Sequence, residues 1–349
     1  MWRKTIFGAA VVCTSLWLQA PAWAQAATVS AAERTALIDA VAAKLDAEYI
    51  DPPLARKMGQ ALRRHAARGE YQRIDDPAAL TQRLTDDLRA VSHDGHLWLE
   101  YRPQGARDEP IYPSAADLDK ARAAVAKDNF AFDKVERLGG NVGYVKFRIF
   151  AYPYLAAATA TSAMDFVANT DALIIDLREN FGGDPAMVAY IASYLFDGRV
   201  HLNDIYTRKD GTTEQYWTTP TVPGRAFGGS KPVYVLTSRQ TFSAAEDFAY
   251  ALKHLKRATV VGEATGGGAH PSRAFRLTEH FAISVPYARS VSPITGGNWE
   301  GSGVAPDVAA PAAQAFDTAY RMAVEGLIAA SGDEGERDRL KALFEPTPR

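Results

Sequence analysis

Thr241-Phe242-Ser243-Ala244-Ala245-Glu246-Asp247-Phe248 follows a run of β-branched and aromatic residues, Lys231-Pro232-Val233-Tyr234-Val235-Leu236-Thr237, and leads into Phe248, Leu252 and Leu255 at helical spacing. The first run reads as a strand and the second as a helix from near Ser243 to about His254, so Ser243 stands where a strand turns into a helix. A serine there lies beside free backbone N–H groups and the positive end of the helix dipole, which can hold an oxyanion next to a nucleophile. Ser243-x-x-Glu246 is equally a capping box, in which the hydroxyl only satisfies an N–H of the first turn. Spacing alone favours the cap; the surrounding pattern favours the nucleophile.

That pattern repeats upstream. Ala172-Leu173-Ile174-Ile175-Asp176-Leu177 is an apolar run typical of a buried strand, followed by the turn Arg178-Glu179-Asn180-Phe181-Gly182-Gly183 and a helix from about Pro185 to Phe196. Strands at Val142 to Phe147 and Ala258 to Gly262, with a helix from Tyr154 to Asn169, extend the alternation to an α/β core with parallel pairing, whose sites form at the carboxyl ends of strands. A Gly-Gly pair lets the backbone approach a ligand, so Gly183 and Ala244 would form a two-donor oxyanion hole if their turns are adjacent. Between them, residues 201–229 are rich in Thr, Gly, Tyr and Trp and read as a hairpin or a flap over the site. The chain closes with a strand at Phe281 to Val285, a Gly-rich turn running to Asp307, a helix from Ala313 to Ala329 and a charged tail.

Ahead of this core, Ala31 to Tyr49, Leu54 to Gly69 and Pro77 to Val91 are amphipathic, which suits a small helical domain. The expected division is residues 1–24 as a signal peptide, 25–105 as the helical domain, 106–330 as the core and 331–349 as the tail. The first segment has a basic start at Arg3-Lys4, an apolar run and an Ala22-Trp23-Ala24 cleavage pattern, which implies a periplasmic or secreted protein. Cys13, the chain's one cysteine, lies inside it, so the mature chain would have no disulfide or thiolate metal site. Without Arg3 and Lys4 the excess of the 41 acidic residues over the basic ones grows, giving no reason to expect nucleic acid as a partner.

Among seven histidines, His96 and His270 follow glycine-containing turns, Asp94-Gly95-His96 and Gly266-Gly267-Gly268-Ala269-His270. Either can serve as general base for Ser243. His93-x-x-His96 lacks the further ligands of a metal site, and no phosphate loop is present, so neither metal nor cofactor is expected.

The pieces Gly143-Tyr144-Val145, Leu173 through Gly183, Thr241 through Glu246, Val261-Gly262-Glu263-Ala264-Thr265-Gly266-Gly267 and Gly303-Val304-Ala305-Pro306-Asp307 occur in the order seen in S41 peptidases. From Ser92 to Asp307 the chain resembles that family, which includes the carboxyl-terminal processing proteases, the tricorn core and the retinoid-binding protein of the retina. The resemblance implies a crotonase-like (ClpP/crotonase-type) α/β core with Ser243 as nucleophile and Gly183 and Ala244 as oxyanion hole. The lysine of the carboxyl-terminal processing branch is absent from Thr265-Gly266-Gly267-Gly268-Ala269. The tricorn-like arrangement points instead to His96 as base with Glu300 in support, and His270 stays as the alternative base. Gly95 stands where tricorn has a serine, which leaves open what orients His96. The span from Tyr101 to Val142 is too short for a PDZ domain. The expected activity is hydrolysis of peptide or protein substrates through an acyl-enzyme, with no membrane span after signal cleavage; the rival is a non-catalytic binder of an apolar ligand. If export is correct, mass spectrometry of the exported protein finds Gln25 at the amino terminus, and retention of Met1 in the cytoplasm refutes it.

Overall fold

The computed structural model describes residues 28–108 and 115–345. The signal-peptide segment lies outside the described residues. Three helices come first: α1 (Ala31–Glu48), α2 (Pro52–Ala67) and α3 (Pro77–Ser92). Each starts as its sequence dictates. The Ser30 side chain accepts the Glu33 N–H while Glu33 takes the Ser30 N–H, and Asp51 and Asp76 cap helices whose first turns carry proline. Asp51-Pro52-Pro53 thus opens α2 as well as ending α1.

The remaining elements are β1 (Trp98–Tyr101), α4 (Ala115–Ala126), β2 (Phe132–Leu138), β3 (Val142–Phe147), α5 (Pro153–Val167), β4 (Ala172–Asp176) and α6 (Pro185–Ala192). They continue with β5 (His201–Thr207), β6 (Thr212–Trp217), β7 (Val233–Thr237), α7 (Ala244–His254) and β8 (Thr259–Gly262). Last come β9 (Ser272–Arg276), β10 (Phe281–Pro286), β11 (Ala288–Val291), β12 (Val308–Ala309), α8 (Ala312–Ala330) and α9 (Glu334–Lys341). The central sheet has the order β12-β8-β7-β4-β3-β2, parallel throughout except for the β2/β3 hairpin at one edge. Its strands β4 and β7 are fully buried, as unbroken apolar runs require when both faces are covered. Side chains of α5, α6 and α7 such as Met164, Ile191 and Phe248 fill one face. On the other, Ala315, Ala319 and Val324 of α8 pack with Leu340 of α9, a helix within the charged tail.

Two features position the site. First, β4 and β7 are parallel neighbours, with Asp176 opposite Leu236, so the turns that leave their carboxyl ends lie side by side. Second, the helical bundle does not close its own core. Leu80, Leu84 and Leu88 of α3 share one apolar cluster with Leu99 of β1 and with Phe275, Ile283 and Val285 of β9 and β10. Strand β1 completes that junction by pairing antiparallel with β10. The segment 201–229 contains the β5/β6 hairpin, extended by β11 into a separate three-stranded sheet.

Candidate active site

The turn between β7 and α7 holds Ser243 at φ 55°, ψ −120°, a region that L-residues rarely adopt and that needs support from the surroundings. The support comes from the neighbouring turn after β4. Phe242 N–H donates to the Asn180 carbonyl at 3.0 Å, the Thr241 hydroxyl to Leu177 at 2.7 Å and the Ser238 hydroxyl to Arg178 at 2.5 Å. Asn180 is itself fully buried, donating from Nδ2 to the Phe147 carbonyl and accepting the Gly182 N–H. The two turns are therefore stitched together, as a shared oxyanion hole requires.

Gly182 and Gly183 are needed for that closeness. A Cβ on Gly182, at φ +102°, would sit 2.6 Å from Ser243 Cβ and 2.9 Å from the Ala244 nitrogen. Gly183, at φ +136°, lies against the Phe150 backbone, where any Cβ would overlap the carbonyl oxygen. A β-bridge to Phe150 fixes it, through the Phe150 N–H to Gly182 and the Asp184 N–H to Phe150, both at 2.7 Å. The N–H groups of Gly183 and Ala244 make no hydrogen bond among the described residues. The Ser243 hydroxyl makes no cap hydrogen bond either; what joins it to Glu246 is its own N–H, which donates to Oε2 at 2.8 Å.

His96 and Ser243 line the same cavity of about 430 Å³. The His96 ring packs on Phe242 with centroids 4.5 Å apart, and a Cβ on Gly268 would meet its Cε1 at 2.7 Å. Its loop is clamped on both sides. Arg89 donates to the carbonyls of Gly95 and Leu97, and Asp94 Oδ1 accepts the His96 N–H at 2.9 Å. The ring nitrogen Nδ1 is buried and has no hydrogen-bond partner. Burial pushes the imidazole down to about 4, against the opposing pull of Asp94.

His270 and Glu300 come together with Asp94 rather than with His96. His270 Nδ1 lies 3.1 Å from Asp94 Oδ2 and 3.5 Å from Glu300 Oε2. Tyr49 donates its hydroxyl to the same Asp94 oxygen and Ala269 its N–H to the same Glu300 oxygen, while Glu300 Oε1 is buried without a partner. Burial and then Asp94 push the Glu300 carboxyl up to about 7. Burial opposes charge on His270, but the Asp94 hydrogen bond and the nearby Glu300 outweigh it, so its imidazole is raised. Atoms of these three residues lie within 4.8 Å of one another, a spacing that suits metal ligands. The hydrogen bonds already made to Asp94 Oδ2 and Glu300 Oε2 suit a shared proton better.

Glu246, which reads in the sequence only as half of a cap, is fully buried and has four donors. Its Oε2 accepts the N–H groups of Ser243 and Gly268, each at 2.8 Å; its Oε1 accepts the Gly267 N–H at 2.7 Å and the Thr265 hydroxyl at 2.5 Å. Burial pushes its carboxyl up and these four donors pull against that.

With this geometry in view, comparison with known proteins is direct. The description "Peptidase family S41" matches residues 141–310, and "N-terminal domain of Peptidase_S41 in eukaryotic IRBP" matches residues 21–132. The chain belongs to peptidase family S41. The carboxyl-terminal-processing protease of Synechocystis is 32% identical over 188 residues, which is 52% of this chain and 38% of that protein. Carboxyl-terminal-processing peptidase 2 of Arabidopsis thaliana is 32% identical over 154 residues, 44% of this chain and 28% of that protein. The matches thus span well under half the length of these relatives. Among solved structures, mature CPAF is similar at 12% identity and a TM-score of 0.55, over 89% of this chain and 98% of CPAF. The tricorn protease is similar at 12% identity and a TM-score of 0.53, over 84% of this chain and 37% of tricorn. These likenesses show the S41 protease fold, an α/β core with a mostly helical amino-terminal region.

Two outcomes follow for this S41 site. Glu246→Ala leaves three backbone N–H groups and the Thr265 hydroxyl without their acceptor, at about 1–3 kcal/mol for each that water cannot reach. Urea denaturation should show a loss of at least one such increment; a midpoint equal to wild type refutes the role given to this carboxylate. Because the His96 imidazole lies below its ordinary value, it stays neutral as the pH falls through 6.5 and protonates only near 4. Labelling of Ser243 by a fluorophosphonate should therefore be nearly as fast at pH 5.5 as at pH 7, whereas an acid limb centred at 6.5 or above assigns the base to another group.

Proposed function

We propose that this chain is an exported serine peptidase that cleaves peptide bonds through an acyl-enzyme on Ser243. The observation that carries the reading is the strained Ser243 turn, flanked by the unpartnered N–H groups of Ala244 and Gly183 and opening on a cavity it shares with a neutral His96. Ser243 attacks the substrate carbonyl while His96 removes its proton, and the two N–H groups hold the oxyanion. With Nδ1 buried, Nε2 is the nitrogen that receives the proton. His96 then returns the proton to the leaving amine, and water attacks the acyl-enzyme by the same route.

Glu300 makes no hydrogen bond to the His96 ring, so its support is indirect: it lies 3.5 Å from His270 Nδ1, whose hydrogen-bond partner Asp94 holds the His96 N–H. His270 is the weaker candidate for the base, because Asp94 and Glu300 already occupy its Nδ1 and it does not line the cavity. The cavity also argues against the apolar-ligand alternative, since Asp184, Glu214 and Asp247 are among its lining residues. Export rests on the first 24 residues of the sequence. Among the described residues no helix is long and apolar enough to cross a membrane.

Ser243→Ala should abolish peptide hydrolysis and fluorophosphonate labelling with little change in stability, because the hydroxyl makes no cap hydrogen bond. Gly183→Val drives a side chain into the Phe150 carbonyl and displaces one oxyanion donor, a loss of roughly a hundred- to a thousandfold in turnover. Hydrolysis at the wild-type rate by a folded Ser243→Ala protein would sink the proposal.

A further inference from the structure

The cavity in front of Ser243 is lined by three carboxylates, Asp184, Glu214 and Asp247, and by no lysine or arginine. None of the three forms an ion pair with a described residue. Two have other tasks: Asp184 caps α6 by accepting the Ala186 N–H, and Glu214 interacts with the Tyr216 hydroxyl. Asp247 has the amide of Asn203 as its side-chain partner. It follows Ser243 by one helical turn, so it projects from the same side of α7, and it is only 4% exposed.

Asp247 lines the cavity with few donors about its carboxyl. Burial pushes its carboxyl up to about 7, opposed only by the amide of Asn203. Asn203 is 1% exposed; its Nδ2 reaches the Ser290 hydroxyl at 3.3 Å, and its Oδ1 has no partner. Ser290 lines the cavity as well. A buried carboxylate with a single side-chain donor is costly to keep ionised, and a ligand bringing several N–H donors with a positive charge relieves that cost.

We infer that this cavity is the subsite for a lysine or arginine side chain of the peptide substrate beside the scissile bond, with Asp247 as its anchor. The inference rests on Ser243 being the nucleophile. An ammonium or guanidinium group in the cavity meets Asp247, with Glu214 and Asp184 in the same lining. A carboxylate side chain is repelled by all three acids, and an apolar one leaves their charge uncompensated. Selectivity arises from that difference.

The experiment uses the full-length wild-type protein and two probes. In fluorophosphonate labelling, p-aminobenzamidine should protect Ser243 at a concentration at least tenfold lower than its neutral analogue benzamide. In a peptide series varied at the residue before the scissile bond, lysine and arginine should exceed methionine at least tenfold in kcat/KM. Asp247→Asn should bring amidine and benzamide protection within about twofold of each other and remove the lysine preference chiefly through KM. Should that variant not fold, Glu214→Gln must weaken amidine protection severalfold. Equal protection by both probes, or equal cleavage of lysine and methionine peptides, overturns the subsite while labelling still proceeds. Absence of any labelling overturns the nucleophile itself and the subsite with it.

Discussion

The carboxylate of Glu246 sits three residues into α7 and is matched by hydrogen-bond donors alone, two on each oxygen. A carboxylate at that place is favoured by the helix dipole, and charge-assisted bonds to backbone N–H groups are stronger than neutral ones. One of its donors is Ser243, whose unusual φ it thereby holds. Two others, Gly267 and Gly268, belong to the loop after β8, and Gly268 packs on the His96 ring. Thr265, the fourth, also accepts the Val304 N–H at 2.7 Å, and Trp299 Nε1 donates to the Gly268 carbonyl. Through one buried group, the serine turn, the packing surface of His96 and the segment bearing Glu300 are held in a single arrangement.

Much of this was legible locally. The serine turn and the Gly-Gly turn each follow an apolar strand and precede a helix, a pattern written within about twenty residues, and the parallel pairing of β4 with β7 makes them neighbours. The role of Glu246 was not legible, because three of its four donors come from residues 265–268 and only the Ser243 bond has the spacing of a cap. Strand β2 escaped notice for a different reason: it is an edge strand whose Phe132-Asp133-Lys134-Val135-Glu136 carries charge on exposed positions, so no apolar run marks it. Helix α9 was hidden in the same way in a charged tail, where Leu340 is the buried contact.

The two histidines illustrate what tertiary structure adds. In sequence both follow glycine turns, and only the resemblance to the tricorn-like arrangement ranks His96 first. In the fold their partners differ. His270 sits between two carboxylates, while His96 is held by its backbone and by an aromatic face, with Arg89 and Asp94 clamping the loop around Gly95. That loop leads into β1, whose partner β10 lies in the last third of the chain, so the helical bundle and the core share the ground on which His96 stands.

The electrostatics of such a site favour the reaction asymmetrically. Burial disfavours a charged His96, so the resting imidazole is neutral and able to take a proton. In the proposed mechanism, an imidazolium formed by the Ser243 proton is favoured by Asp94, and the negative charge passes to an oxyanion beside two N–H donors. The pair of charges in that mechanism is stabilised where it develops, and the uncharged ground state gains less from the same groups. His270 and Arg89, which lower the His96 pKa, limit that gain, and the Arg89 bonds to the Gly95 and Leu97 carbonyls join Asp94 in fixing the backbone that presents the ring.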